Sequence, residues 1–226
     1  MKVVLIRLEG PLQAWSAQGK LGIRDTEREP TKSGVLGLVG AALGMSRDDD
    51  ATLAALASLK MSVRVDRAGS LLHDYHTAGG GKFRASRHRV FGLEKKQGDT
   101  VVSHRFYLQG ASFVAALEGD DVFVSRIAVA LRSPRYGPFL GRRSCPPSVP
   151  LFVGVLDGSG RAALETAPLA LQPDSEPYRL VLESASGDGD VRYDVPLSFS
   201  HIERRYGSRH VTTEWVAAPA SSEVTA

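Results

Sequence analysis

The chain has 226 residues, 42% of them hydrophobic and 23% charged, with a formal net charge of +3, enough to bury a real core as one large domain or two small ones. Its longest apolar runs, around Val3–Leu8 and Val35–Leu43, are far too short to span a bilayer, and the opening Val3-Val4-Leu5-Ile6 leads into Arg7 and Glu9 rather than a signal-peptide cleavage site. A single cysteine, Cys145, excludes an intramolecular disulfide framework and fits a reducing cytoplasm, while a sequence pI near 9.1 is at the level of nucleic-acid binders.

Val3 to Leu8 reads as a buried first strand ended by the turn pair Gly10-Pro11. A long connection from Gln13 to Pro30 follows. Pro30-Thr31-Lys32-Ser33-Gly34 opens a helix that Thr31 or Ser33 can cap, with Val35, Leu36, Leu38, Val39, Ala42 and Leu43 as a broad apolar face. Gly34, Gly37 and Gly40 recur on it at three-residue spacing. Glycine costs about 1 kcal/mol in a helix, so close approach of a sheet or another chain is expected there. Asp50 to Leu59 reads as a short helix and Met61 to Val65 as a strand.

Leu72 to Gln109 is basic and interrupted by Gly79-Gly80-Gly81, Gly92 and Gly98, with strand-like fragments at Arg89–Leu93 and Val101–Leu108. It reads as an extended hairpin projecting from the core. Ala111 to Leu117 is an apolar strand, and Asp120 can cap a helix to about Leu131. This order resembles the split βαβ of ferredoxin-like and RNA-recognition folds. Leu151–Val155, Tyr178–Glu183, Val191–Val195 and Thr213–Val216 read as short strands of a second small sheet, before a frayed tail from Pro219 to Ala226. The expected organisation is an α+β chain: a body over 1–150 with a basic hairpin at about 73–109, then a small strand-rich region over 151–218.

Charge is unevenly placed. From Lys82 to Gln109 stand Lys82, Arg84, Arg87, Arg89, Lys95, Lys96 and Arg105 against only Glu94 and Asp99, and Arg204, Arg205 and Arg209 form a second cluster. The most informative stretch is Arg132 to Pro147, where Arg132, Arg135, Arg142 and Arg143 stand with Tyr136 and Phe139 and without an acidic residue. Glycine and proline break helix and strand there, leaving a loop that presents guanidinium groups and aromatic faces, a combination suited to a nucleic-acid backbone and its bases.

Other chemistries fit less well. Thr31-Lys32-Ser33 lacks the upstream glycine of a P-loop, so Lys32 and the helix amides either hold a phosphate or simply cap. His73-x-x-His76 has the spacing of a metal pair but no further ligands, and Cys145 has no nucleophile context; no metal or cofactor is expected. Tyr75, His76, Lys82, His88 and His104 are residue types able to cleave RNA by general acid–base chemistry, or they only bind and pack. Trp15 either plugs the interior behind the first strand or stacks on a base.

Several motifs in one order resemble the CasD family of type I-E CRISPR Cascade subunits. They are Gly10-Pro-Leu-Gln-Ala-Trp15, Pro30-Thr-Lys-Ser-Gly-Val-Leu-Gly37-Leu, Arg47-Asp-Asp49, Asp74-Tyr-His-Thr77, Arg105-Phe-Tyr-Leu, and Pro134-Arg-Tyr136 through Leu140-Gly-Arg-Arg-Ser-Cys145-Pro. Ser16 departs from the glycine that often follows Gln-Ala-Trp. The resemblance implies a ferredoxin-like body with an inserted β-hairpin thumb. It further implies a non-catalytic subunit that holds the five-prime handle of the guide RNA, kinks the RNA with its thumb and caps a CasC backbone beside the large subunit CasA. Guide processing then belongs to a separate endonuclease, CasE. The equivalent type I-C subunit cleaves repeat RNA itself, which keeps the histidines as an alternative, and a protein adaptor is the third reading. Lys32, Arg105, Arg135, Arg142 and Arg143 are expected to contact phosphates, and Tyr136 or Phe139 to stack on a base.

Overall fold

The computed structural model describes residues 1–16, 22–79, 100–174, 177–200 and 202–217. In chain order the elements are β1 (Lys2–Glu9), β2 (Leu12–Gln13), β3 (Ile23–Arg24), α1 (Lys32–Leu43), α2 (Asp50–Ala57), β4 (Lys60–Arg67), β5 (Ser70–Gly79), β6 (Thr100–Gln109), β7 (Ser112–Gly119), α3 (Asp121–Arg132), β8 (Phe152–Asp157), α4 (Gly160–Thr166), β9 (Tyr178–Glu183), β10 (Asp190–Ser198) and β11 (Arg205–Val216). One seven-stranded antiparallel sheet runs β10-β11-β9-β4-β7-β1-β8, and β2, β3 and β5 gather around β6 in a second sheet.

The main sheet is buried on both faces, which is why β1 and β7 read as near-continuous apolar runs rather than alternating ones. Successive side chains point to opposite faces: Val4, Ile6 and Leu8 join the cluster containing α1 and α3, while Val3 and Leu5 join Ala163, Leu164 and Ala167 of α4 and its exit. The α3 stripe Val124, Ile127, Ala128 and Leu131 is buried, and the Asp120 side chain accepts from the amides of Val122 and Phe123, as its sequence position predicts. Thr31 caps α1 by accepting from the Gly34 amide.

Burying both faces also buries charge. Arg64, fully enclosed, donates to Asp66 Oδ1 (2.7 Å) and to the carbonyls of Ala167 (2.8 Å) and Pro168 (2.9 Å), and Arg7 donates to Asp66 Oδ2 (2.6 Å). These guanidinium groups satisfy the carbonyl end of α4 and tie it to the sheet.

The expected second small sheet over the C-terminal third does not form. β8 pairs with the outer edge of β1, and β9 pairs with β4 through Val63↔Val181, so the C-terminal strands extend the main sheet at both ends. An edge strand offers a row of unpaired amides and carbonyls, and these segments satisfy it. β5 and β6 pair in unbroken antiparallel register from Ser70↔Gln109 to Gly79↔Thr100. The residues that join them, with the strand fragment expected at 89–93, Lys82 and His88, lie outside the described residues, as does the expected tail at 219–226.

Candidate nucleic-acid interface

The start of α1 is closed by the far end of the chain. The Lys32 amide donates to Asp194 Oδ2 (2.8 Å), and Lys32 Nζ donates to both carboxylate oxygens of Glu183 (2.9 and 3.1 Å). Asp194 also accepts from Arg209 Nε (2.7 Å) and Nη2 (2.9 Å). Lys32 is only 2% exposed; burial pushes its ammonium below the ordinary lysine value although Glu183 pulls it back. The expectation that Lys32 meets a phosphate is therefore corrected. Its charge is spent inside a buried network, and the helix amide it offers is already taken by a carboxylate.

The Gln-Ala-Trp motif is structural as well. Gln13, fully buried, donates from Nε2 to the carbonyls of Leu8 (3.0 Å) and Ala111 (2.8 Å) and accepts from Trp15 Nε1 (3.0 Å). Trp15 is enclosed and backs Gly34, where an added Cβ would stand 2.8 Å from the indole. Trp15 thus plugs the interior.

The arginine loop after α3 is fastened to the last turn of α1. The amides of Arg135 and Tyr136 donate to the carbonyls of Ala42 (2.9 Å) and Ala41 (3.2 Å), the latter shared with the Gly44 N–H (3.1 Å) that caps the helix. The loop closes on itself through Leu140 N–H to the Cys145 carbonyl (2.7 Å) and Cys145 N–H to the Arg142 carbonyl (2.9 Å). Gly141 sits at φ 82°, and a Cβ there would stand 1.7 Å from the Ala14 carbonyl oxygen. No other residue fits. Cys145 is buried and its thiol is pushed up by desolvation, which leaves it without nucleophilic character at neutral pH.

Arg142 turns inward from this loop. It donates to the carbonyls of Phe106 (3.0 Å), Arg24 (2.7 Å) and Asp25 (2.9 Å), and its guanidinium lies 4.9 Å from the Tyr107 ring centroid. Its first role is that of a clamp joining the loop to β3 and β6, a departure from the expected phosphate contact. Arg135, Tyr136 and Arg143 are exposed or partly so, and Phe139 is half-buried.

Around these residues opens a cleft of about 920 Å³. α1 supplies its floor through Ser33, Gly34, Gly37 and Gly40; Tyr136, Phe139 and Arg143 form one side, and Phe199, Arg204 and Tyr206 the other. Arg47 stands at the end of α1. No aspartate or glutamate lines it among the described residues. Arg47, Phe199 and Tyr206 are residues that sequence reasoning missed. Arg204 was visible as part of a basic cluster, but nothing local placed it opposite Arg143. The α1 glycines do allow close approach: Trp15 fills the space at Gly34 and Met45 that at Gly40, while Gly37 meets only Phe199 at 3.9 Å.

Positive potential continues from the cleft onto the β5–β6 ribbon. Arg105 is half-buried, opposite Asp74 in the register, and donates from Nε to Ser103 Oγ (3.3 Å). The guanidinium of Arg24 is pushed down by burial and then by the nearby charges of Arg105 and Arg142, so three guanidinium groups crowd one edge.

The histidines divide by face. His73 stacks on Phe106 (4.6 Å) and meets His104 Nδ1 through Nε2 (2.9 Å), with Tyr75 edge-on to His104 (5.5 Å). His76 pairs with Ser103 in the register and lies near Asp74 (3.7 Å) on the other face. Strand side chains alternate, so the i, i+3 spacing of His73 and His76 separates them rather than joining them. Of the residue types considered for RNA cleavage, Tyr75 and His104 share a face, whereas His76 lies on the other. Among the described residues no three His, Cys, Asp or Glu side chains gather as a metal site, and no helix is long and apolar enough to cross a membrane.

The family model described as CRISPR-associated protein (Cas_Cas5) matches residues 3–212. The chain is 42% identical over 212 residues to the CRISPR system Cascade subunit CasD of Escherichia coli strain K12, covering 88% of this chain and 84% of that one. Its fold is similar to a chain of a CRISPR RNA-guided surveillance complex, with a TM-score of 0.81, 35% identity and coverage of 96% of this chain and 91% of that one. A second solved structure, described as a Cas protein, matches with a TM-score of 0.73 and 33% identity over 97% and 98% of the two chains. Matched in sequence and in fold along nearly its whole length, the chain belongs to the Cas5 family of CRISPR-associated proteins.

Proposed function

We propose that this chain is the RNA-holding subunit of a Cascade-type surveillance complex and that it grips the five-prime handle of the guide RNA in the cleft over α1. The carrying observation is the lining itself. Arg47, Arg143 and Arg204 are exposed, Tyr136, Phe139, Phe199 and Tyr206 stand among them, and no acidic side chain lines the space among the described residues. Cations that track phosphates beside aromatic faces that stack bases are the general solution for single-stranded RNA.

In this reading β1, β4, β7 and β8 with α1 and α3 are a ferredoxin-like body, since their sheet order β4-β7-β1-β8 and their helix connections follow that topology. The β5–β6 ribbon is the base of the thumb that kinks the RNA, with Arg105 as its phosphate contact. CasC and CasA are the protein neighbours, and the setting is the cytoplasm. The role is binding without catalysis, a reading supported by the separation of His76 from His104 and Tyr75 on opposite faces of the ribbon.

The test is fluorescence anisotropy of labelled repeat RNA across a salt series, in EDTA, with Arg47→Ala, Arg143→Ala and Arg204→Ala. Each variant is expected to flatten the slope of log affinity against log salt by about 0.7 for every phosphate it no longer neutralises, with the RNA recovered at full length. Slopes matching the parent in all three would refute the cleft as the site. Discrete shorter RNA fragments would refute the non-catalytic role.

A further inference from the structure

We propose that the floor of the cleft, at Gly37 and Ser33 of α1, is a slot for one unstacked nucleobase of the bound RNA; this rests on the RNA-binding reading of the cleft. Three observations carry it. First, Gly37 leaves bare helix backbone facing the cleft: a Cβ there would meet only Phe199, at 3.9 Å, whereas the spaces at Gly34 and Gly40 are already filled by Trp15 and Met45. A flat group can lie directly on that strip.

Second, the floor holds polar groups that lack partners. Ser33 is only 8% exposed, lines the cleft, and its hydroxyl has no hydrogen-bond partner among the described residues. Ser16 lines the same cleft, and its Oγ is buried and equally unpartnered among them. An enclosed hydroxyl without a partner, as at Ser16, is unfavourable, and a ligand edge carrying donors and acceptors satisfies it.

Third, the surroundings select a neutral ligand group over an anion. The Lys32 amide already donates to Asp194 and the Gly34 amide to Thr31. A phosphate at this helix end would find those amides occupied and a carboxylate beside it. The cations lie instead at exposed positions, on Arg47, Arg143 and Arg204. Tyr136 and Tyr206, 54% and 36% exposed, supply faces along the walls. A polar-edged, uncharged planar group below and phosphates above describe a splayed nucleotide.

The experiment uses the full chain and a set of repeat RNAs, each with one abasic position, read by anisotropy at fixed salt. For the parent protein one abasic position is expected to weaken binding about tenfold, the scale of a single base stack. Gly37→Leu, which fills the slot, is expected to weaken binding of intact RNA by a similar factor and to lose nothing further at that position. Gly37→Ala and Ser33→Ala guard against misfolding of the larger variant. Replacing a helical glycine with alanine raises the thermal midpoint, so weaker RNA binding by a more stable Gly37→Ala protein marks the slot and not the fold. Parent-like affinity in Gly37→Ala and Gly37→Leu, or equal abasic losses in parent and variants, would overturn the slot. An Arg143→Ala salt slope below the parent's would in that case leave the cleft standing as the RNA site. An unchanged Arg143→Ala slope would bring down the cleft reading beneath it.

Discussion

Arg142 and Arg143 are neighbours in the sequence with opposite expected phenotypes. Arg142→Ala removes three hydrogen bonds from a charged donor to the carbonyls of Phe106, Arg24 and Asp25. Such bonds contribute about 1.5–3 kcal/mol each when intact. Arg142 is only half-buried, so water replaces part of the loss, and the expected destabilisation is about 3 kcal/mol. With a urea slope of about 3 kcal/mol/M, the unfolding midpoint should fall by about 1 M at constant slope. Arg142→Lys should recover little, because an ammonium cannot fork across three carbonyls. Arg143→Ala, exposed and without a partner among the described residues, should stay within about 0.5 kcal/mol of the parent. Its effect should emerge in the RNA salt slope instead. Chemical denaturation by circular dichroism and the anisotropy salt series together separate the two. A parent-like midpoint for Arg142→Ala, with a flattened salt slope, would refute the clamp and return Arg142 to the phosphate-binding set.

Two further outcomes test the frame that shapes the cleft. Asp194→Asn should cost about 3–5 kcal/mol, because the buried Arg209 loses the carboxylate that accepts from its Nε and Nη2. Burial alone pushes the Asp194 carboxyl up, but the hydrogen bonds and charge of Arg209, the Lys32 amide and Arg192 outweigh it and hold the group below its ordinary 3.8. Its stabilising contribution is therefore complete above the unfolded carboxylate value and is lost as pH falls below 3.8 through the lower folded value. The parent's acid-unfolding curve should show that loss and the Asn variant's should not. Gly141→Ala forces a side chain at φ 82° into the Ala14 carbonyl, with an expected loss of at least about 3 kcal/mol, or about 10 °C in thermal midpoint. An unshifted melting curve would show that the loop does not need its tight approach to the Ala14 carbonyl.

The individual elements were legible in the sequence because their signals are local. Apolar periodicity and capping residues located β1, α1, α2, β4, β7 and α3, since the marks of a buried run or a capped amphipathic helix lie within a dozen residues of one another. The loop from Arg132 to Pro147 was equally legible, since four arginines without acidic partners have few folded uses. The fate of each charge, by contrast, emerged only in three dimensions. Lys32 resembled a phosphate ligand, but its partners Glu183 and Asp194 lie 151 and 162 residues away. Arg142 and Arg143 looked equivalent, and only the arrival of β3 and β6 turned one inward. The i, i+3 histidines were parted by strand alternation. The cleft itself joins the end of α1, the arginine loop and the β10–β11 region, segments that no window of sequence contains. A charge is free for RNA only when nothing else in the fold claims it, and that is settled by long-range pairing, not by the residues beside it.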